Sequence, residues 1–155
     1  MSARRWSRRE ALLALSAGAL GLALPGLGAC SRGADPKPPA IAFDQDECDW
    51  CRMTIDDPRL AAAFVPASGR ALRFGEPGCL LAWLAERREA TGTAFVTALE
   101  DGGWLEAGSA TFGRGLVRTP MRFDIAAWRG APETAGETLT WARLLEEGAP
   151  RANRG

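Results

Sequence analysis

Hydrophobic and polar positions fall into three regimes along the chain. Residues 11–24 are apolar, broken only by Ser16 and glycines, and residues 31–40 are rich in proline, glycine and charge. From Ile41 onward, strand-like and helix-like periods take turns. Residues 59–66 read as a strand, although their alanines weaken it. A turn at Ala67-Ser68-Gly69-Arg70 and a short strand over 71–74 complete a hairpin. Pro77 sits near the first turn of a helix, where its missing N–H costs nothing. Cys79, Leu80, Trp83 and Leu84 share one face of that helix, Glu86, Arg87, Arg88 and Glu89 finish it in solvent, and Thr91-Gly92 stops it. Residues 94–99 read as a strand, Asp101-Gly102-Gly103 as a turn, and Trp104-Leu105-Glu106 as the start of another strand. Thr111-Phe112 and Leu116-Val117 are short extended pieces interrupted by Gly113 and Gly115. Residues 121–128 predict a strand, and 139–147 a helix carrying Trp141, Leu144 and Leu145 inward. The order β-β-α-β-β-β-α argues for a small α+β domain. Its halves could be a diverged pair, but no residue-level repeat proves it.

Composition narrows the chemistry. With 155 residues, 46% hydrophobic and 25% charged, the chain has the size of one globular domain, and global disorder and collagen-like repeats are excluded. Nineteen basic side chains balance nineteen acidic ones, which gives no reason to expect nucleic-acid binding. There is no histidine and no tyrosine. Ser-His-Asp hydrolases, His-ligated zinc hydrolases and facial-triad iron enzymes are therefore out. Four cysteines and three methionines remain as the main soft chemistry.

The N-terminal segment reads as an address. Arg4-Arg5 and Arg8-Arg9 precede an apolar run too short for a membrane span but fitting a signal-peptide core. The run ends in Leu27-Gly28-Ala29-Cys30, which resembles the bacterial lipobox. Ser7-Arg8-Arg9-Glu10-Ala11-Leu12-Leu13 resembles a twin-arginine export signal; the general secretory route is the alternative. The expected organisation is a signal peptide over 1–29, a lipidated tether over 30–40 starting at Cys30, a folded domain over 41–148 and a flexible tail over 149–155. Cleavage would remove four arginines against one glutamate, leaving a mildly acidic mature chain. Stable anchoring needs more than one acyl chain. The expected location is the periplasmic face of a bacterial membrane. Ser31, rather than aspartate, after the lipidated cysteine tilts the expectation toward the outer membrane.

Glu47-Cys48-Asp49-Trp50-Cys51-Arg52-Met53-Thr54-Ile55 places three sulfur side chains within six residues. A C-x-x-C turn lets two thiolates converge on one ion, and Met53 can add a thioether. Soft thiolate and thioether donors select Cu(I), and Trp50 could shield one side of the ion. A closed zinc site would ordinarily want four N or S ligands. Two other readings stand beside metal binding. One is a redox-active dithiol, for which Thr119-Pro120 offers a facing proline loop. The other is an inert disulfide from Cys48 to Cys51 or Cys79. Cys79, at a helix start, reads first as a small buried apolar residue and secondly as a third sulfur ligand or transfer way-station. Met121 reads equally as a core residue or a labile thioether ligand.

Cys48-x-x-Cys51-x-Met53-x-Ile55 resembles the C-x-x-C-G-M-x-I signature of the NosL family, accessory lipoproteins of nitrous oxide reductase maturation. Phe74-Gly75-Glu76-Pro77-Gly78-Cys79-Leu80-Leu81-Ala82-Trp83 is similar to that family's phenylalanine, acidic turn and Gly-Cys-Met helix opening. Thr119-Pro120-Met121 is similar to its Thr-Pro-Met stretch. The matches run in order from about Asp46 to Trp128. The resemblance implies a periplasmic Cu(I) chaperone, not an enzyme, with Cys48, Cys51 and Met53 as motif ligands and Met121 as a candidate from the second half. It also implies the copper-enzyme assembly machinery, including an ABC-type complex, as partner. The fold it implies is α+β with paired ββαβ-like units, related to the treble-clef group and organomercurial lyase. Arg52 and Arg122 stand where the family carries glycine, so a different backbone is expected at Arg52.

Overall fold

A computed structural model of the protein describes residues 35–132 and 137–148. The expected signal peptide, Cys30 and the 149–155 tail lie outside the described residues. Strand β1 (Ala62–Pro66) is central to a four-stranded antiparallel sheet of order β2-β1-β3-β4. Its neighbours are β2 (Leu72–Phe74) and β3 (Gly92–Thr97), and β4 (Trp104–Glu106) lies at the far edge. The alanines that weaken β1 as an isolated strand suit this place, since Ala61, Ala62 and Ala63 are all fully buried. Pairing on both sides and close packing outweigh intrinsic propensity.

β2 and β3 both run antiparallel to β1 and so parallel to each other, which demands a crossover. Helix α1 (Pro77–Glu86) is that crossover. It starts at Pro77 as expected but ends at Glu86, before the charged run through Glu89. Arg87 N–H donates to the Leu84 carbonyl at 3.0 Å, a tight last turn. Gly92 does not stop the helix but opens β3. A Cβ at Gly92 would lie 2.4 Å from the Val65 carbonyl oxygen. Trp83 on α1 packs on Phe64 and Phe74, at ring-centroid distances of 5.2 and 6.1 Å, and the Arg87 guanidinium lies over the indole.

A 3₁₀ turn (Ala107–Ser109) leads to a second, two-stranded antiparallel sheet of β5 (Thr111–Arg114) and β6 (Ile125–Trp128). β5 makes one strand more than the expected order. Gly113 does not interrupt it; a Cβ there would meet Leu116 and Trp128 at 3.0 and 3.2 Å, so the missing side chain admits its neighbours. The strand expected over 121–128 begins only at Ile125. Arg122 and Asp124 hold φ of 62° and 55°, values a strand cannot carry. A parallel bridge between Ala98 and Ala127 joins the two sheets.

Helix α2 (Trp141–Glu147) is capped by Thr140, whose hydroxyl oxygen accepts the Arg143 N–H. Leu144 is fully buried and Trp141 packs on Phe112. Leu145, expected inward, is 45% exposed; this short helix has too narrow a contact face to cover it. One core runs through both sheets and both helices. The domain is α+β as expected; β1-β2-α1-β3 runs in ββαβ order, whereas β5-β6-α2 has no closing strand among the described residues. Among the described residues no helix is long and apolar enough to cross a membrane.

Candidate metal centre

The C-x-x-C segment is the tip of a small hairpin over residues 46–55. Ile55 N–H donates to the Asp46 carbonyl and Cys48 N–H to that of Met53, at 2.9 and 2.8 Å, with a bridge between Glu47 and Thr54. The tip turns because Arg52 N–H reaches back to the Cys48 carbonyl at 3.0 Å with Arg52 at φ 65°. Arg52 thus adopts the left-handed conformation that favours glycine. The arginine holds this conformation and bears its strain.

Asp49 fixes the hairpin to the sheet. Its backbone N–H donates to the Arg73 carbonyl, its carboxylate accepts the Arg73 N–H, both at 2.8 Å, and the Arg70 guanidinium pairs with it at 2.6 Å. The hairpin thereby extends the edge of β2, beside Gly75 and the start of α1. Cys79 stands in the first turn of that helix.

These placements bring the sulfurs of Cys48, Cys51 and Cys79 within 4.8 Å of one another, a group that could hold a metal ion. Metal–sulfur bonds of about 2.3 Å in a trigonal site need sulfurs about 4 Å apart. All three thiols are free, with no disulfide among the described residues. Cys48 and Cys79 are fully buried, and Cys51 is partly exposed. Electrostatics make the three unequal. Thiol donation from Cys51, then from Cys79, holds Cys48 far below the ordinary thiol range, aided by the backbone N–H groups of Cys51 and Gly75. Cys51 moves up, chiefly through its hydrogen bond to Cys48. Cys79 moves up through its bonds to Cys48 and Cys51, and through burial. The hydrogen bonds thus favour charge on Cys48 over charge on Cys51 or Cys79.

Of the residues singled out from sequence, Cys48, Cys51 and Cys79 converge. Met53 follows on the same hairpin, 46% exposed. Met121 lies in the loop before β6, half-buried against the core that includes Cys48 and Cys79. Trp50 packs partly against that same core. The pair Cys48/Cys51 occupies a hairpin turn, whereas a thioredoxin-like dithiol opens a helix; here the helix N-terminus and its favourable dipole belong to Cys79.

Sequence reasoning missed Glu76, which is 1% exposed at the α1 N-terminus. Its Oε1 accepts the Met121 N–H at 2.6 Å, and its Oε2 is buried without a partner. Burial, and more weakly the charges of Cys48 and Asp124, push its carboxyl above the usual range, against donation from Thr119 and Met121. An acid just before a helix-opening proline reads locally as a cap, which hides this role.

Fold and site together define an α+β domain with a buried three-thiol centre fit for a soft metal ion. Set against known proteins, the chain matches no family model and no curated protein.

Proposed function

We propose that this protein is a membrane-tethered Cu(I) chaperone that acts by ligand exchange and not by catalysis. The supporting observation is the convergence of three thiols in a chain without histidine. Sulfur-only donors favour Cu(I) over harder divalent ions. Three donors, one of them partly exposed, leave an acceptor room to bind before the donor lets go. Met53 and Met121 are the further thioether donors. The resemblance to the NosL family supports a client among copper enzymes, nitrous oxide reductase or a relative, reached through its ABC-type assembly machinery. The lipobox-like string ending at Cys30 supports anchoring at the periplasmic face, with the outer membrane favoured.

Anaerobic competition titration of the reduced protein with Cu(I) tests the reading. The expected result is tight 1:1 binding that collapses in a Cys48→Ser, Cys51→Ser double variant. Unchanged affinity in that variant would end the proposal. The proximity of the thiols also serves a second reading, a lipid-anchored thiol–disulfide oxidoreductase. That reading requires a mixed disulfide trapped by Cys51→Ala.

A further inference from the structure

We propose that Glu76 is a positioning residue for the metal centre: its buried carboxylate holds the 119–124 loop on the first turn of α1 and so keeps Met121 in place as a thioether donor. The inference deepens the Cu(I) reading and rests on it. Glu76 has the extended backbone of an N-cap, yet its side chain caps nothing in its own helix. A carboxylate taken out of water needs partners, and Glu76 finds them in this loop, in the Met121 N–H 45 residues along the chain and in the Thr119 side chain.

The loop closes upon itself without Glu76. Thr119 N–H donates to Asp124 Oδ1 at 3.0 Å, Asp124 N–H to Thr119 Oγ1 at 2.9 Å, and Arg122 N–H to the Thr119 carbonyl at 2.9 Å. With those groups engaged inside the loop, the Met121 N–H is left for α1. A second contact secures the docking two residues further along the helix. A Cβ on Gly78 would lie 2.3–2.4 Å from Cβ and ring atoms of Phe123, so only glycine lets that side chain sit there. Positions 76 and 78 thus carry the loop, and Cys79 follows immediately. Glu76 joins the half of the chain that holds the thiols to the half that holds the thioether.

The test uses the full chain with Met53→Leu, labelled with selenomethionine so that Met121 carries the one selenium between residues 35 and 148, and loaded with one Cu(I). X-ray absorption should show copper–sulfur scattering together with a copper–selenium vector at bonding distance. Glu76→Gln, whose amide oxygen still accepts the Met121 N–H, should keep that vector. Glu76→Ala should lose it, retain the copper–sulfur scattering, and bind Cu(I) about 10–100-fold more weakly. Gly78→Ala, which displaces Phe123 without touching Glu76, should weaken the vector too, and it keeps the test decisive should Glu76→Ala not fold. A purely structural Glu76 would lower the melting temperature and leave the vector unchanged. A copper–selenium vector retained in Glu76→Ala or undiminished in Gly78→Ala would overturn the inference, as would its absence from the parent beside intact copper–sulfur scattering. Absence of copper–sulfur scattering from the parent would overturn both the inference and the Cu(I) reading.

Discussion

Arg52 and Arg122 both hold left-handed backbone angles, at φ 65° and 62°, and each directly adjoins a sulfur residue or its loop. An L-residue there gives up about 1–2 kcal/mol. Arg52 recovers little through its exposed 3.7 Å contact with Glu47, since such pairs contribute almost nothing. Arg52→Gly should therefore stabilise the metal-free protein by up to about 1 kcal/mol after glycine's extra unfolded-chain freedom is offset, read as a rise of a few degrees in thermal melting. The thiols carry a second prediction. Cys48 is held as a thiolate while Cys51 and Cys79 are held protonated. Coordination by all three should then release about two protons near neutral pH, so acid weakens binding. Calorimetry in buffers of different ionisation enthalpy counts them; about one proton would mean that a thiol stays out of the bond. The Cys48/Cys51 pair was legible from spacing alone. Cys79 was legible only as the second of two readings, because a cysteine on an apolar helix face looks like core until the chain is folded and the hairpin arrives beside it.

At the level of elements, the 46–55 hairpin buries Cys48 and Ile55 in the core and is tied to β2 through Asp49. The Asp49 carboxylate is 12% exposed and accepts from both Arg73 N–H and Arg70. Asp49→Ala should destabilise the domain by about 1–3 kcal/mol and lower Cu(I) affinity, because the hairpin loses its register with Gly75 and α1. Chemical denaturation and the same competition titration read the two effects; unchanged affinity would show that the core alone seats the hairpin. Elements with a strong period were readable in advance: β2, β4 and the start of α1 fall within a residue of expectation. The failures share a cause. β5 was broken at Gly113 and β6 extended back to Met121 because local pattern shows neither the ring that fills the space of a missing side chain nor a left-handed pair of residues.

Across the molecule, two sheets share one core, and the three-thiol cluster lies where the hairpin before the first sheet meets the first turn of α1. The α+β class followed from the order of elements. The meeting point did not, since it depends on pairings between residues far apart in sequence, such as Glu76 with Met121 and Asp49 with Arg73. On the proposed reading, anchoring is separable from metal binding. Cys30→Ser should move the protein from the membrane to the soluble fraction while leaving its Cu(I) affinity unchanged, as fractionation and titration of the purified variant would show. Retention on the membrane would remove the lipid from the proposal without touching the thiols.

In the proposed chaperone, the unequal depth of the three sulfurs would give ion exchange a direction. Of the three sulfurs, only that of Cys51 is partly exposed, so an acceptor would approach on its flank, and that bond would yield first and those to the two interior sulfurs last. Copper would enter and depart through a single doorway, and the core behind it would never have to open.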